Sequence, residues 1–268
     1  TMEAYEQHLD SFQEETNLVT VPINDTRALE EAFRKADQEN IFFEAMYIEP
    51  VMGEGEPGRA VTREFYDLAR KLTAERRTMF IVDSIQAAIR AQGCLSIIDY
   101  PGFEDCAPPD CETYSKALNA GQYPLSVIAL TAEFADIYVP GVYGNTMTTN
   151  PRALEVGCAV LDGITDDLRK NIREKGKEFL DKLGWLSEEF PGAITSISGT
   201  GLIVNAELNP DLYSAVAEEG FEHYLRIHGI EMIHGGHNGI RFTPHFAVTS
   251  EEIDLIIDMI RKGLEELA

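Results

Sequence analysis

The stretch TREFYDLARKLTAERRTMFIVDS (residues 62–84) decides the fold. Its first sixteen residues place apolar side chains at helical spacing behind Thr62, a hydroxyl suited to an N-cap, and end on basic residues where the helix dipole is negative. TMFIVDS then becomes apolar without alternation and stops at Asp83. A strand of that kind is covered on both faces, and a helix leading into such a strand is the signature of a parallel sheet built from βα units. The same pattern occurs upstream. DTRALEEAFRKADQE (25–39) is expected to be a helix capped by Asp25, and IFFEAMYIEP (41–50) a buried strand ending at a proline.

Downstream, CETYS (111–115) and LSVIAL (125–130) are two further strands, and residues 150–164 and 166–190 an apolar and a more polar helix. From about residue 165 the character changes. ITSISGTGLIVNAEL (194–208) reads as a hairpin, DLYSAVAEEGFEHYLRIHG (211–229) as a helix and IRFTP as a short strand; a closing helix follows, capped by Thr249 or Ser250. The expected architecture is an α/β domain over residues 1–165, with a mainly parallel sheet and flanking helices, followed by a small α+β domain over residues 166–268.

The chain has 268 residues, 22 Lys+Arg against 46 Asp+Glu and a net charge of −24, a balance that repels nucleic acid and anionic membrane surfaces. No apolar run approaches the length of a membrane span, residues 1–16 do not resemble a signal peptide, and the expected location is the cytoplasm. Cys94, Cys106, Cys111 and Cys158 form no C-x-x-C pair and are expected to be free thiols, so the sequon at Asn24 has no secretory context. His234 and His237 in HGGHNGIRF (234–242) could in principle ligate a metal, but the glycines between them and the lack of a third ligand favour a loop.

In an open α/β sheet, ligands collect at the carboxyl ends of the strands. Three polar groups fall there: Glu49 to Glu54 after the first strand, Asp83 to Gln86 at the end of the second, and Lys116 after the third. An unprotonated lysine amine forms a Schiff base with an aldehyde, and pyridoxal phosphate is the aldehyde cofactor whose ring nitrogen needs a carboxylate such as Asp83.

EPVMGEGEPG (49–58), FIVDSIQ (80–86), PPDCETYSKALNAGQYPLS (108–126), YGNTMTTNP (143–151) and IRFTPHFAVTSEE (240–252) resemble, in order, landmarks of the class III (ornithine and 4-aminobutyrate type) aminotransferases of pyridoxal phosphate fold type I. The resemblance implies that Lys116 is the Schiff-base lysine and proton carrier, that Asp83 pairs with the ring nitrogen and that Gln86 bonds near the phenolic oxygen. It further implies that Thr146 reaches the cofactor phosphate of the other subunit of a homodimer, that Arg241 grips a substrate carboxylate and that Glu54 pairs with this arginine. The activity implied is transamination of an ω-amino acid, amino acid or amine with a 2-oxo acid. A racemase, epimerase or aminomutase of the same fold, or a non-catalytic relative acting as a binding subunit, are the alternatives.

The sequence departs from the family pattern where D-E-V-Q reads DSIQ, placing Ser84 for a glutamate, and where two glycines before Asn150 are Thr148 and Thr149. Full-length members also carry a phosphate-binding turn and a ring-stacking aromatic before the first strand read here. The expectation is that a longer chain, or a separate one, supplies them.

Overall fold

Two four-stranded sheets organise the computed structural model, which describes residues 17–136, 138–139 and 148–267. The first has the order β1 (Ala45–Ile48), β2 (Met79–Asp83), β3 (Cys111–Tyr114), β4 (Val127–Leu130). β1, β2 and β3 are mutually parallel, so the chemistry-bearing residues that follow them emerge at one rim. Helices α1 (Thr26–Glu39) and α2 (Arg63–Arg76) cover one face, packing Leu29, Phe33, Phe65 and Tyr66 with Phe80 and Val82 of β2. Each such side chain contributes about 1.5–3 kcal/mol by leaving water. The caps are the expected ones: Asp25 accepts from Ala28 N and Thr62 from Phe65 N. Arg70 of α2 clamps Asp110 through two hydrogen bonds of 2.9 and 2.8 Å, and Asp110 also accepts from Phe80 N, locking helix to sheet just before β3.

Two strands differ from the sequence reading. Only Ala45–Ile48 of the 41–50 run is strand, and Tyr47 is 58% exposed, because β1 forms the edge of the sheet and has one neighbour among the described residues. β4 runs antiparallel to β3 and is exposed along its length. The connection between them carries only the 3₁₀ turn Lys116–Asn119, and a parallel return needs a crossover, usually a helix.

The second sheet is antiparallel throughout, in the order β5 (Ile194–Thr200), β6 (Ile203–Leu208), β8 (Gly239–Phe242), β7 (Ile233–Gly235). Strand alternation splits its side chains cleanly. Val204, Ala206, Ile240 and Phe242 face a core built with α5 (Asp166–Glu189) and α7 (Ser250–Glu266), which contribute Phe179, Leu183, Ile253 and Ile257. Ser198, Thr200, Asn205, Glu207 and Arg241 occupy the opposite face. That polar face meets the first sheet: Ser198 Oγ donates to Pro57 O at 2.7 Å and Thr200 Oγ1 to Gly58 O at 2.8 Å. Arg90 adds a tie from the far end of β2's connection, donating to Pro244 O at 2.6 Å with its guanidinium over Phe246.

Thr249 caps the closing helix in a full capping box with Glu252. The helix read over residues 211–229 forms only at α6 (Phe221–Ile227), behind α5 and two short helices, α3 (Ala132–Ala135) and α4 (Pro151–Gly163). Side chains take the backbone groups that a longer helix would need: Asn209 accepts from Asp211 N, while Asn238 accepts from Ala215 N and donates to Tyr213 O. The HGGHNG stretch is a tight hairpin joining β7, which the sequence reading missed, to β8. All four cysteines are free, and among the described residues no helix is long and apolar enough to cross a membrane.

Candidate active site

β1 ends at Ile48, and the chain then folds back on itself: Glu49 accepts from Gly53 N at 2.9 Å, and Gly58 N donates to Met52 O. This turn delivers Glu54 to the polar face of the second sheet. Glycine at 53 is a steric requirement, since a Cβ there would collide with the Gln86 amide. Arg241, on β8 and only 4% exposed, spans the two sheets. Its Nη1 donates to Gly53 O, to Glu54 Oε1 at 3.1 Å and to Gln86 Oε1 at 3.2 Å. Gln86 Nε2 closes the triangle by donating to Glu54 Oε1 at 2.9 Å. Residues far apart in sequence thus meet at one guanidinium.

Electrostatics follow from that triangle. Burial works to raise the pKa of Glu54, but the Gln86 hydrogen bond and the positive charge of Arg241, with Lys116 adding at longer range, hold the carboxyl below its ordinary value. Glu49 goes the other way: burial and the neighbouring charges of Asp83 and Glu54 raise it against the single hydrogen bond from Gly53 N.

Asp83 is the last residue of β2, and its register partner on β3 is Thr113. Its Oδ1 accepts from Ile85 N at 3.0 Å and Thr113 Oγ1 at 3.3 Å, which fixes the carboxylate at the strand end. Lys116 starts the turn after β3 with φ +40°, a left-handed backbone that a lysine adopts only when its surroundings impose it. The surroundings are Ser115, whose Oγ donates to Leu125 O at 2.7 Å, and the Leu118 N to Ser115 O bond that closes the turn. The amine is exposed, and Nζ has no hydrogen-bond partner among the described residues.

Of the residues singled out in the sequence, Glu54, Gln86 and Arg241 are in direct contact, while Asp83 and Lys116 stand on the neighbouring strand ends. The Gln86 amide is engaged at both ends by Glu54 and Arg241. Thr146 lies outside the described residues. Thr149 does not: its φ of +56° follows a course natural to glycine, so the backbone keeps the glycine-like turn despite the β-branched side chain. Among the described residues no group of histidine, cysteine and acidic side chains could hold a metal ion, and His234 instead lies 3.4 Å from Glu222.

Sequence reasoning missed Glu112. It is 4% exposed and accepts from Ser84 Oγ and Ser96 Oγ, both at 2.6 Å, and from Ile97 N at 3.2 Å. It braces the segment between Asp83 and the 3₁₀ turn at Ile97–Asp99 from beneath. The signal available was a serine in place of the pattern's glutamate at 84 and a glutamate inside the apolar run at 112.

A sequence profile of the aminotransferase class-III family matches residues 3–264. The acetylornithine aminotransferase of Thermosynechococcus vestitus is 30% identical over 251 residues, covering 92% of this chain and 58% of that protein. Ornithine aminotransferase 2 of Staphylococcus aureus (strain Mu50) is 33% identical over 237 residues, covering 86% of this chain and 54% of the relative. Among solved structures, the acetylornithine aminotransferase of Elizabethkingia anophelis superposes with a TM-score of 0.76 at 29% identity, covering 92% of this chain and 62% of that one. The ornithine aminotransferase of Toxoplasma gondii ME49 gives 0.76 at 28% identity, covering 91% of this chain and 55% of that one. The chain spans a little over half the length of the curated relatives it matches. With a profile match across nearly all of its residues, it belongs to the class-III aminotransferase family.

Proposed function

We propose that this chain is the portion of a pyridoxal phosphate-dependent aminotransferase that carries its lysine, its ring-nitrogen carboxylate and its substrate arginine. The observation that carries the reading is the triangle at Arg241, which brings Glu54 and Gln86 onto one guanidinium beside the strand ends that hold Asp83 and Lys116. The donor set fits the cofactor at two points: a lysine amine for the aldehyde and a fixed carboxylate for the ring nitrogen. When bound, pyridoxal phosphate supplies the aldehyde that takes up the amino group and the electron-poor ring that makes the adjacent C–H acidic.

Each residue then has a task. Asp83, held by Ile85 N and Thr113 Oγ1, keeps a proton on the ring nitrogen. Lys116 would hold the aldehyde through its amine, and the same amine would serve as the base that moves a proton at the substrate carbon. Arg241 grips the carboxylate of the 2-oxo acid or amino acid, and Glu54 occupies it when an ω-amino group is the donor. Gln86, between the two, meets the phenolic oxygen when the pair lets it go. Thr146 is assigned to the phosphate of the partner's cofactor in a homodimer, and the division into two domains is placed at about residue 165. The relatives' additional length, whether carried by a longer chain or a separate one, is assigned to the open edge of β1, beside an apolar cavity of about 310 Å³ lined by Val21, Phe33, Phe43 and Ile48.

The test is an absorbance spectrum of the protein with added pyridoxal phosphate, before and after borohydride, in parallel with Lys116→Ala. A visible band that reduction removes, together with a mass increment mapped to Lys116 and lost in the variant, is expected. A reduced label spread over several surface lysines, with Lys116 unmodified, would sink the assignment.

A further inference from the structure

We propose that Asn205 is a positioning residue for Arg241, and that the glycines of the HGGHNG hairpin exist to make room for it. Asn205 on β6 and Arg241 on β8 are direct register partners, with side chains on the same polar face. Both are enclosed, Asn205 at 1% and Arg241 at 4% exposure. Each also buries one polar atom without a hydrogen-bond partner among the described residues: Arg241 Nε, a donor, and Asn205 Oδ1, an acceptor. Buried donors and acceptors left unpaired are costly, and two of opposite kind on paired residues are complementary.

Every other contact of the two residues agrees with this role. All the hydrogen bonds Arg241 makes to Gly53, Glu54 and Gln86 leave from Nη1, so nothing on that side fixes the rotation of the guanidinium about its long axis. A constraint at Nε would fix it. Asn205 is itself anchored, its Nδ2 donating to Glu207 Oε1 at 3.1 Å, while Glu207 Oε2 accepts from Asn238 N in the hairpin turn at 2.9 Å. The hairpin closes around this pair without side chains. A Cβ at Gly239 would lie 2.6 Å from Asn205 Oδ1 and 2.8 Å from Glu207 Oε1, and one at Gly236 would overlap Glu207. The chain runs from hairpin to Glu207, to Asn205, to Nε, and sets the direction in which Nη1 and Nη2 point.

The substrate-facing consequence rests on the reading of Arg241 as the carboxylate grip, but the positioning itself does not, and the two are separable. In ¹⁵N-arginine-labelled protein, Arg241 Nε–H, assigned by its loss in Arg241→Lys, is expected as a slowly exchanging resonance. Asn205→Leu removes the acceptor and should speed exchange about tenfold, the factor that one enclosed hydrogen bond supplies. Asn205→Ser, whose hydroxyl still accepts, should retain the protected signal. Gly239→Ala changes neither partner's identity but crowds Asn205 Oδ1, and should shift the resonance; it keeps the test open where the leucine variant does not fold. An Nε–H signal identical in shift and exchange rate in wild type, Asn205→Leu and Gly239→Ala overturns the proposal. So does loss of protection in Asn205→Ser equal to that in the leucine variant. Where positioning holds and Arg241→Lys leaves carboxylate binding unchanged, the grip reading fails and the Asn205 assignment stands.

Discussion

Replacing the partners of Glu112 should cost more than replacing Glu112 itself. The carboxylate is buried without a cation; it accepts from Ser84, Ser96 and Ile97, and the Tyr114 phenol lies against it. Hydrogen bonds to a charged group contribute about 1.5–3 kcal/mol each. Ser84→Ala with Ser96→Ala therefore leaves the buried acid with only Ile97 N and the Tyr114 phenol, at about 4 kcal/mol. Glu112→Leu removes the charge and leaves neutral donors, two of which are hydroxyls free to turn, at about 2 kcal/mol. The triple variant leaves only the Ile97 N–H and the Tyr114 phenol of the cluster and should cost only about 1 kcal/mol. Urea unfolding followed by far-ultraviolet circular dichroism measures all four proteins, with the slope checked for constancy. The decisive quantity is the coupling. A triple variant about as unstable as the sum of its parts would mean that the three side chains act independently and that Glu112 does not brace the Asp83 segment through them.

Two further outcomes follow from the charges. Glu54→Gln removes the acid that competes for Arg241; because Glu54 is partly exposed, the gain for a bound dicarboxylate is modest, about three- to tenfold in Kd by calorimetric titration with glutarate. Unchanged affinity would show that the pair does not gate the arginine. Glu178 on α5 is held down to about 2: burial opposes ionisation, but hydrogen bonds from Lys175, Lys182 and Ser250 outweigh it. A depressed carboxylate stabilises the fold above its unfolded pKa of about 4.5 and loses that contribution as pH falls towards 2. The stability gap between wild type and Glu178→Gln should thus be full at pH 6 and close between pH 4.5 and 2, and a gap independent of pH would exclude the ionic contribution.

What the sequence made legible was whatever local pattern controls. Capping side chains at Asp25, Thr62 and Thr249 were readable because a cap is decided within a few residues, and the parallel strands because helix and apolar run alternate. Glu54, Asp83, Gln86 and Lys116 were readable as strand-end chemistry; Arg241 and its pairing with Glu54 came only through resemblance, since nothing local announces that two residues 187 apart share a hydrogen bond. Tertiary facts were hidden. β4 reads as a covered strand because its residues are apolar, yet it is exposed along its length and pairs on one side. Glu112 sits within a stretch read only as a strand, yet donors from two earlier segments, Ser84 after β2 and Ser96 and Ile97 at the 3₁₀ turn, enclose it. Asn238, from the β7–β8 hairpin, takes backbone groups of residues 213–215 that a longer helix would use, and nothing local in the hairpin stretch marks Asn205 as the register partner of Arg241.

The left-handed backbone at Lys116 bears on how this family member can change over evolutionary time. A lysine held at φ +40° lowers the stability of the fold by about 1–3 kcal/mol relative to a residue at ease there. Glycine is such a residue, whereas alanine inherits the strain. On the role proposed for Lys116, activity and robustness are opposed at that one position, and Lys116→Gly yields a sturdier protein than Lys116→Ala.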